Sequence, residues 1–310
     1  MSNNFQGEVL AELTRNGLVE SIHSGHLIML NADGSVHKTK GSVDMPIFPR
    51  SSVKCMQASA MVRNGLKLEP RLLALVEASH SGAAMHQEGV LEILAGAGLS
   101  ESDLQCAFDK PLGDAERIAW GEKPATRLAM NCSGKHAGML ATCVINGWDI
   151  KTYLNADHPL QVAVLNEIEG LVGAKVSNKT FDGCGAPLFA VTTRELANAI
   201  RNITISKDLV HIEVMSAARA FPEMVAGDGR LTTRTMQSVA GLFMKEGAEA
   251  VEVASMSDGR TLVFKISDGS WRAFGAIMHA ALLEWGITTT EEALNVYGGA
   301  NIVGGMRAVL

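Results

Sequence analysis

The chain lacks most of the features that would place it in a special class. It has no Lys/Arg-rich run, and its formal net charge of −6 over 310 residues argues against a nucleic-acid surface. Its first residues, MSNNFQGEVLAEL, show no basic stretch leading into an apolar core, so no secretory signal is expected and the cytoplasm is the default location. The most apolar late segment, residues 273–285, is too short to span a bilayer and carries His279 and Glu284. Cysteine is scarce: Cys55, Cys106, Cys132, Cys143 and Cys184. An odd number with no C-x-x-C pair makes a poor disulfide framework, and buried free thiols are the ordinary outcome. There is no phosphate loop, no dinucleotide fingerprint, no internal repeat and no low-complexity linker. What remains is a soluble globular composition, 47% hydrophobic and 19% charged, long enough for a large core.

Strand signals occupy both ends of the chain. Residues 9–15 and 18–22 flank Asn16-Gly17, and residues 26–30 and 35–38 flank Ala32-Asp33-Gly34, both hairpin turns. Near the C-terminus, residues 250–256 and 261–267 flank Asp258-Gly259, a helix is expected over about 271–285, and residues 302–309 read as a closing strand. The middle is helical: from about Ser51, then about 70–78, 85–97, from Cys132 through Val144, 157–171, 194–201 and 209–220. Ser100 with Asp103 has the order of a capping box, and Gly138 inside an apolar helix suggests close packing against another element. Neither terminal strand set can bury a sheet face alone. The expected fold is therefore α+β, an antiparallel sheet built from N- and C-terminal strands with helices packed on it. We read one two-lobed domain over 1–310, with a sheet lobe of about 1–50 and 248–310 and a mainly helical lobe of about 51–247.

Three constellations carry chemistry. Ser51 and Lys54 lie one helical turn apart at a sheet-to-helix junction, in Pro49-Arg50-Ser51-Ser52-Val53-Lys54. Serine there is a common N-cap and the lysine could be solvated. A desolvated lysine beside a serine is also a way to make a hydroxyl nucleophilic without histidine. Ser79 in Ser79-His80-Ser81-Gly82 is a polar turn residue or a second hydroxyl. Lys265 alternates with Phe264 and Ile266, and points either to solvent or into a cleft. Cys132, Lys135 and Cys184 sit in two glycine-bearing turns that could present thiolates to a soft metal such as Zn²⁺, although lysine must lose its proton to bind one. His136 and His158 are further conceivable ligands, each with an ordinary structural use, and Asp182 could orient a ligand.

These pieces occur together in one known family. The sequence resembles the asparaginase II family of the rhizobial inducible type. The resemblance rests on Pro-Arg-Ser-Ser-Val-Lys at 49–54, Ala-Ser-His-Ser-Gly at 78–82, Asn-Cys-Ser-Gly-Lys-His-Ala-Gly-Met-Leu at 131–140, Asp-His-Pro-Leu-Gln at 157–161, Asp-Gly-Cys-Gly at 182–185 and Phe-Pro-Glu-Met-Val-Ala-Gly-Asp-Gly-Arg at 221–230. It implies a fold like the serine β-lactamases and glutaminases. It implies two Ser-Lys tandems, Ser51 with Lys54 and Ser79 with Lys265, and substrate contacts at Arg50 and Asp182. Zinc at Cys132, Lys135 and Cys184 and a homodimer are also implied. The activity it implies is hydrolysis of L-asparagine to L-aspartate and ammonia through an acyl-enzyme. The alternatives are a glutaminase or broader serine amidase, a non-catalytic zinc or amino-acid binding protein, and a penicillin-recognising enzyme. Three positions depart from the family pattern: Cys55, where proline is common, Ala83, where glutamate is common, and Lys265-Ile266-Ser267, which is not Lys-Thr-Gly. The last argues against β-lactam turnover.

Overall fold

The structure is a computed structural model that describes residues 5–176, 178–289 and 294–310. Its contacts divide the chain into two units. One comprises Met1–Ser52, Val191–Arg201 and Thr235–Leu310, and the other Val53–Ala190 and Asn202–Arg234. Among the described residues no helix is long and apolar enough to cross a membrane.

The first unit is an antiparallel sheet of eight strands that joins both ends of the chain. Its order is Asn295–Gly298, Asn301–Ala308, Glu8–Arg15, Leu18–Leu30, Thr261–Ile266, Val251–Met256 and Leu242–Gly247, with Val36–Lys40 also paired to Leu18–Leu30. The sheet mixes N- and C-terminal strands as the sequence implies, because each set supplies only one side of a pairing. Asn16 and Gly17, at φ 47° and 81°, make the tight turn that the dipeptide announces.

The two segments expected as separate strands at 18–22 and 26–30 are one strand of 13 residues. Its first part pairs with Glu8–Arg15 and its last part with Val36–Lys40, while Gly25–Leu30 pairs along the other edge with Thr261–Ile266. Gly25 makes this continuity possible. A Cβ there would lie 2.1 Å from the Lys265 carbonyl oxygen. Leu242–Gly247 and Asn295–Gly298 are strands that the alternation pattern missed. The former is buried along its whole length, so it carries no period-two signal. Helix Phe274–Glu284 packs on the sheet, with Phe274 edge-on to Phe264 at 5.0 Å between ring centres.

The second unit is helical, with Lys54–Arg63 packed on Pro159–Val172, Ala84–Gly96 on Ser133–Asn146, and Pro70–Val76 on Leu209–Ala220. Helix Ser133–Asn146 is buried from Ser133 through Cys143. Gly134 and Gly138 allow this. A Cβ at Gly134 would meet the Leu75 carbonyl oxygen at 2.4 Å, and one at Gly138 would meet Val76 Cγ2 at 2.8 Å. The close packing expected at Gly138 is thus present, and helix Pro70–Val76 is the element packed there. Ser100 and Asp103 form the expected capping box. At the start of Pro159–Val172 the N-cap is His158, whose ring accepts from the Leu160 N–H.

Candidate active site and metal cluster

The Pro49-to-Lys54 stretch forms a 3-10 turn over Arg50–Val53 that runs into helix Lys54–Arg63. Arg50 enters it at φ +52°, left-handed backbone that a non-glycine residue adopts at a cost, and such positions cluster at functional sites. The turn is held from two sides. Ser52 Oγ donates to the Pro49 carbonyl at 2.7 Å. Gly247 passes so close that a Cβ there would lie 2.4 Å from the Pro49 oxygen and 3.4 Å from the Ser51 nitrogen. Ser51 is thereby fixed on the sheet unit, half-buried, three residues ahead of Lys54.

Lys54 is almost fully buried, 2% exposed. Its Nζ donates to the Ala78 carbonyl and to Ser79 Oγ, the latter at 3.3 Å. Burial pulls its pKa down to about 8; Cys132, Cys184 and Asp182 oppose that fall, and Lys135 adds to it. About a tenth of Lys54 is therefore a neutral amine at pH 7, far more than for a lysine of ordinary pKa. The Ala78–Gly82 stretch is pinned from several elements. The Ser79 N–H donates to the Val225 carbonyl at 3.0 Å, and the Ser79 carbonyl accepts from Arg230 at 2.9 Å. The His80 N–H donates to the Asn131 carbonyl at 2.9 Å, and its Nε2 meets Ser133 Oγ at 2.9 Å. Nothing in the local sequence of Ser79-His80-Ser81 announces these partners, which come from 50 to 150 residues away.

Beside Lys54 lies the sulfur cluster. Cys132 is the residue before helix Ser133–Asn146, and Lys135 and His136 follow in its first turn. Cys184 is carried by the Asp182–Ala186 turn, where the Gly185 N–H donates to the Asp182 carbonyl and Gly185 takes φ +89°. The donor atoms of Cys132, His136 and Cys184 all lie within 4.8 Å of one another. Lys135 Nζ is 3.3 Å from Cys184 Sγ. The neighbouring Cys132 and Lys135 side chains, against its own burial, hold the Cys184 thiol well below its ordinary pKa and so toward the charged form, while the Cys132 thiol donates to Met130 Sδ at 3.0 Å. Burial and that charge keep Cys132 protonated. Burial opposes the charge on Lys135, but Cys184, Cys132 and Asp182 together outweigh it and hold the ammonium. Burial holds His136 neutral. Two sulfurs with nitrogen donors beside them are the donor set a soft divalent metal takes.

The helical unit thus brings Lys54, Ser79, Cys132, Lys135 and Cys184 together, with Asp182 acting on both lysines. His158 stands apart, committed to its N-cap and to the Asp149 carbonyl. The five cysteines are all free and buried, so no disulfide forms.

Lys265 belongs to the sheet unit and is 5% exposed, so it is not the solvated lysine its strand position allows. Its Nζ donates to the Glu249 carbonyl at 2.6 Å and the Ile266 carbonyl at 2.5 Å, and lies 5.6 Å over the Phe5 ring. Burial lowers its pKa. Glu249 and Ala250, at φ 62° and 53°, are a left-handed pair immediately before strand Val251–Met256. No turn signal of glycine or asparagine marks them.

An α+β chain with a buried, partly neutral lysine on a serine hydroxyl and a sulfur cluster alongside has the parts of an amide-cleaving hydrolase. The model of the L-asparaginase II family matches residues 11–308. The chain belongs to that family, and membership makes it an asparaginase-type amidohydrolase. A comparison with curated proteins finds no match. Among solved structures, similarity extends to a chain from Bacteroides dorei DSM 17855 that its own description provisionally calls a beta-lactamase. It is 13% identical, with 78% of this chain and 85% of that one covered and a TM-score of 0.44.

Proposed function

We propose that the protein hydrolyses L-asparagine to L-aspartate and ammonia through a serine acyl-enzyme. The observation that carries this reading is Lys54, buried in a chain of this family with its pKa near 8 and its amine on Ser79. Ser51 attacks the side-chain amide carbon, and neutral Lys54 takes the hydroxyl proton. Backbone N–H groups at the start of the 50–63 turn and helix meet the oxyanion. Ser79, bonded to Lys54, passes the proton to the leaving nitrogen, and Lys265 completes the second tandem. Water then cleaves the ester, releasing aspartate and restoring the Ser51 hydroxyl. Arg50 and Asp182, one of each charge, suit the two charged ends of an amino-acid substrate.

The same reading assigns Zn²⁺ to Cys132, Lys135 and Cys184. The sulfurs fit that ion, and Lys135 must give up its proton to join them. When bound, the metal supplies a Lewis acid and a fixed point for the substrate's polar end. A homodimer completes the proposal and rests on the family resemblance; the cytoplasm is kept as the default location.

Ammonia release from asparagine and from glutamine, measured for wild type, Ser51→Ala and Ser79→Ala, tests it. Asparagine turnover that collapses in both variants is expected. Full activity in both ends the proposal, and faster turnover of glutamine would move the substrate to that amide. Metal analysis of the purified protein, with Cys132→Ala as control, tests the zinc assignment; a metal-free, fully active enzyme refutes it.

A further inference from the structure

Lys265 shares a row of the sheet with the glycine that holds the Ser51 turn. Gly247 pairs with Val251, Val251 with Lys265, and Lys265 with His26. Residues paired directly across strands share a face, so all four lie on the face that meets the Ser51 turn at Gly247. Lys265 is two strands from Gly247, roughly 10 Å. The strap of residues 5–7 closes the far end of this row. The Phe5 carbonyl accepts from Ser267 Oγ at 2.6 Å, and the Gln6 carbonyl accepts from the same hydroxyl at 3.0 Å. His26 holds Phe5 as well. Its Nδ1 takes the Ser42 N–H at 2.9 Å, so its Nε2 carries the ring proton and donates to the Phe5 carbonyl at 3.1 Å. Glycines let the strap lie flush on the sheet. A Cβ at Gly7, at φ +67°, would lie 2.1 Å from the Gly25 carbonyl oxygen. One at Gly41, at φ +65°, would meet that oxygen and His26 Nδ1, each at 2.5 Å.

What the strap delivers is the Phe5 ring. The ring is edge-on to His26 at 6.0 Å, and its centre lies 5.6 Å from Lys265 Nζ. It stays 36% exposed, so burial in the core is not what fixes it there. Lys265 Nζ gives two hydrogens to carbonyls, those of Glu249 and Ile266. One position remains on the nitrogen, filled by a third proton in the ammonium and by the lone pair in the amine. While the two carbonyl bonds hold, any proton that Lys265 takes or gives passes through that position. An aromatic face at this range attracts the ammonium and keeps water off it. We propose that Phe5 is a positioning residue for Lys265: the strap sets its ring over the amine, holds Nζ on its two carbonyls and shields the position at which it exchanges its proton. The catalytic use of that proton rests on the Ser79–Lys265 tandem proposed above, whereas the shielding does not.

Competitive acetylation of the full chain with acetic anhydride, read lysine by lysine by mass spectrometry, measures access to the Lys265 amine, with exposed Lys67 as the internal reference. Phe5→Ala should raise Lys265 acetylation about tenfold and lower asparagine kcat by a similar factor, with KM little changed. Phe5→Tyr keeps an aromatic face and should hold both near wild type. Phe5→Leu is apolar without such a face and should not. Ser267→Ala leaves the ring intact but releases the strap's carbonyls, and should move both readouts in the same direction as Phe5→Ala. Unchanged Lys265 acetylation in a folded Phe5→Ala protein overturns the proposal. So does faster acetylation with unchanged kcat when Lys265→Met is inactive. A fully active Lys265→Met protein sinks the tandem alone, because acetylation still decides whether the ring guards the amine.

Discussion

Lys54 stores an electrostatic cost that the proposed chemistry uses. A lysine taken out of water gives up its proton more readily, and here the fall to about 8 is set by burial against the pull of Cys132, Cys184 and Asp182. The sign of the pH dependence follows. The neutral base is the minor form below that pH and the major form above it. Asparagine kcat/KM should therefore rise with pH through a limb near 8, falling about tenfold per unit well below it. A flat profile between pH 6 and 9 would remove Lys54 as the base. Lys54→Met should lower kcat by roughly 10²–10⁴. Lys54→Arg should be no better, since a guanidinium stays charged in this range. Steady-state kinetics check both, with circular dichroism to confirm folding. At this scale the sequence was legible for residue types and only partly for partners. Ser51, Lys54, Ser79 and the Cys132–Lys135–Cys184 set could be named from their motifs. The Lys54–Ser79 hydrogen bond and the Tyr153–His136 contact could not, because each joins residues 17 to 25 positions apart whose meeting depends on how helices pack.

At the scale of single elements, glycines decide how closely the functional segments approach one another. Gly134 and Gly138 sit one turn apart on one face of helix Ser133–Asn146, against Pro70–Val76. Gly134→Ala should destabilise the protein by about 1–3 kcal/mol, measured by denaturant unfolding, because backbone at Leu75 cannot retreat as a flexible side chain could. Gly147→Ala, at the left-handed cap of the same helix, should cost only about 1 kcal/mol, since a Cβ there meets nothing within 4 Å. Gly247 acts on the candidate nucleophile. Gly247→Ala pushes a methyl into the Pro49 carbonyl and should lower kcat for asparagine by tenfold or more with KM little changed, by displacing the Arg50–Val53 turn. Unaltered kcat in a folded Gly247→Ala protein would mean that the turn's position does not matter. Hairpin turns, the capping box and the long helices could be read in sequence because their signals are local. Strand Leu242–Gly247 could not: all of its residues are buried, Lys245 and Glu246 among them, so neither alternation nor an unbroken apolar run marks it.

Across the whole molecule, pairings of long sequence separation close the sheet. Glu8–Arg15 pairs with Asn301–Ala308, and Leu18–Leu30 pairs with Thr261–Ile266. Such contacts are gained late against the entropy of closing long loops, so folding should be slow for a chain of this size. Deleting Asn301–Leu310 should leave an unpaired edge along Glu8–Arg15 and shift expression to the insoluble fraction. A soluble, cooperatively unfolding truncation would show that this strand is dispensable. The sequence by itself determined the α+β class, the mixing of both chain ends in one sheet and the residues that could do chemistry, because periodicity, turn residues and motifs are written locally. Tertiary structure decided what those residues touch. It buried Lys54 and Lys265 and set Lys54 on Ser79. It also placed His136 beside the two sulfurs with Tyr153 behind it. Burial, and the pKa shifts and tautomers that follow from it, depend on neighbours supplied by distant parts of the chain, and no local pattern encodes them.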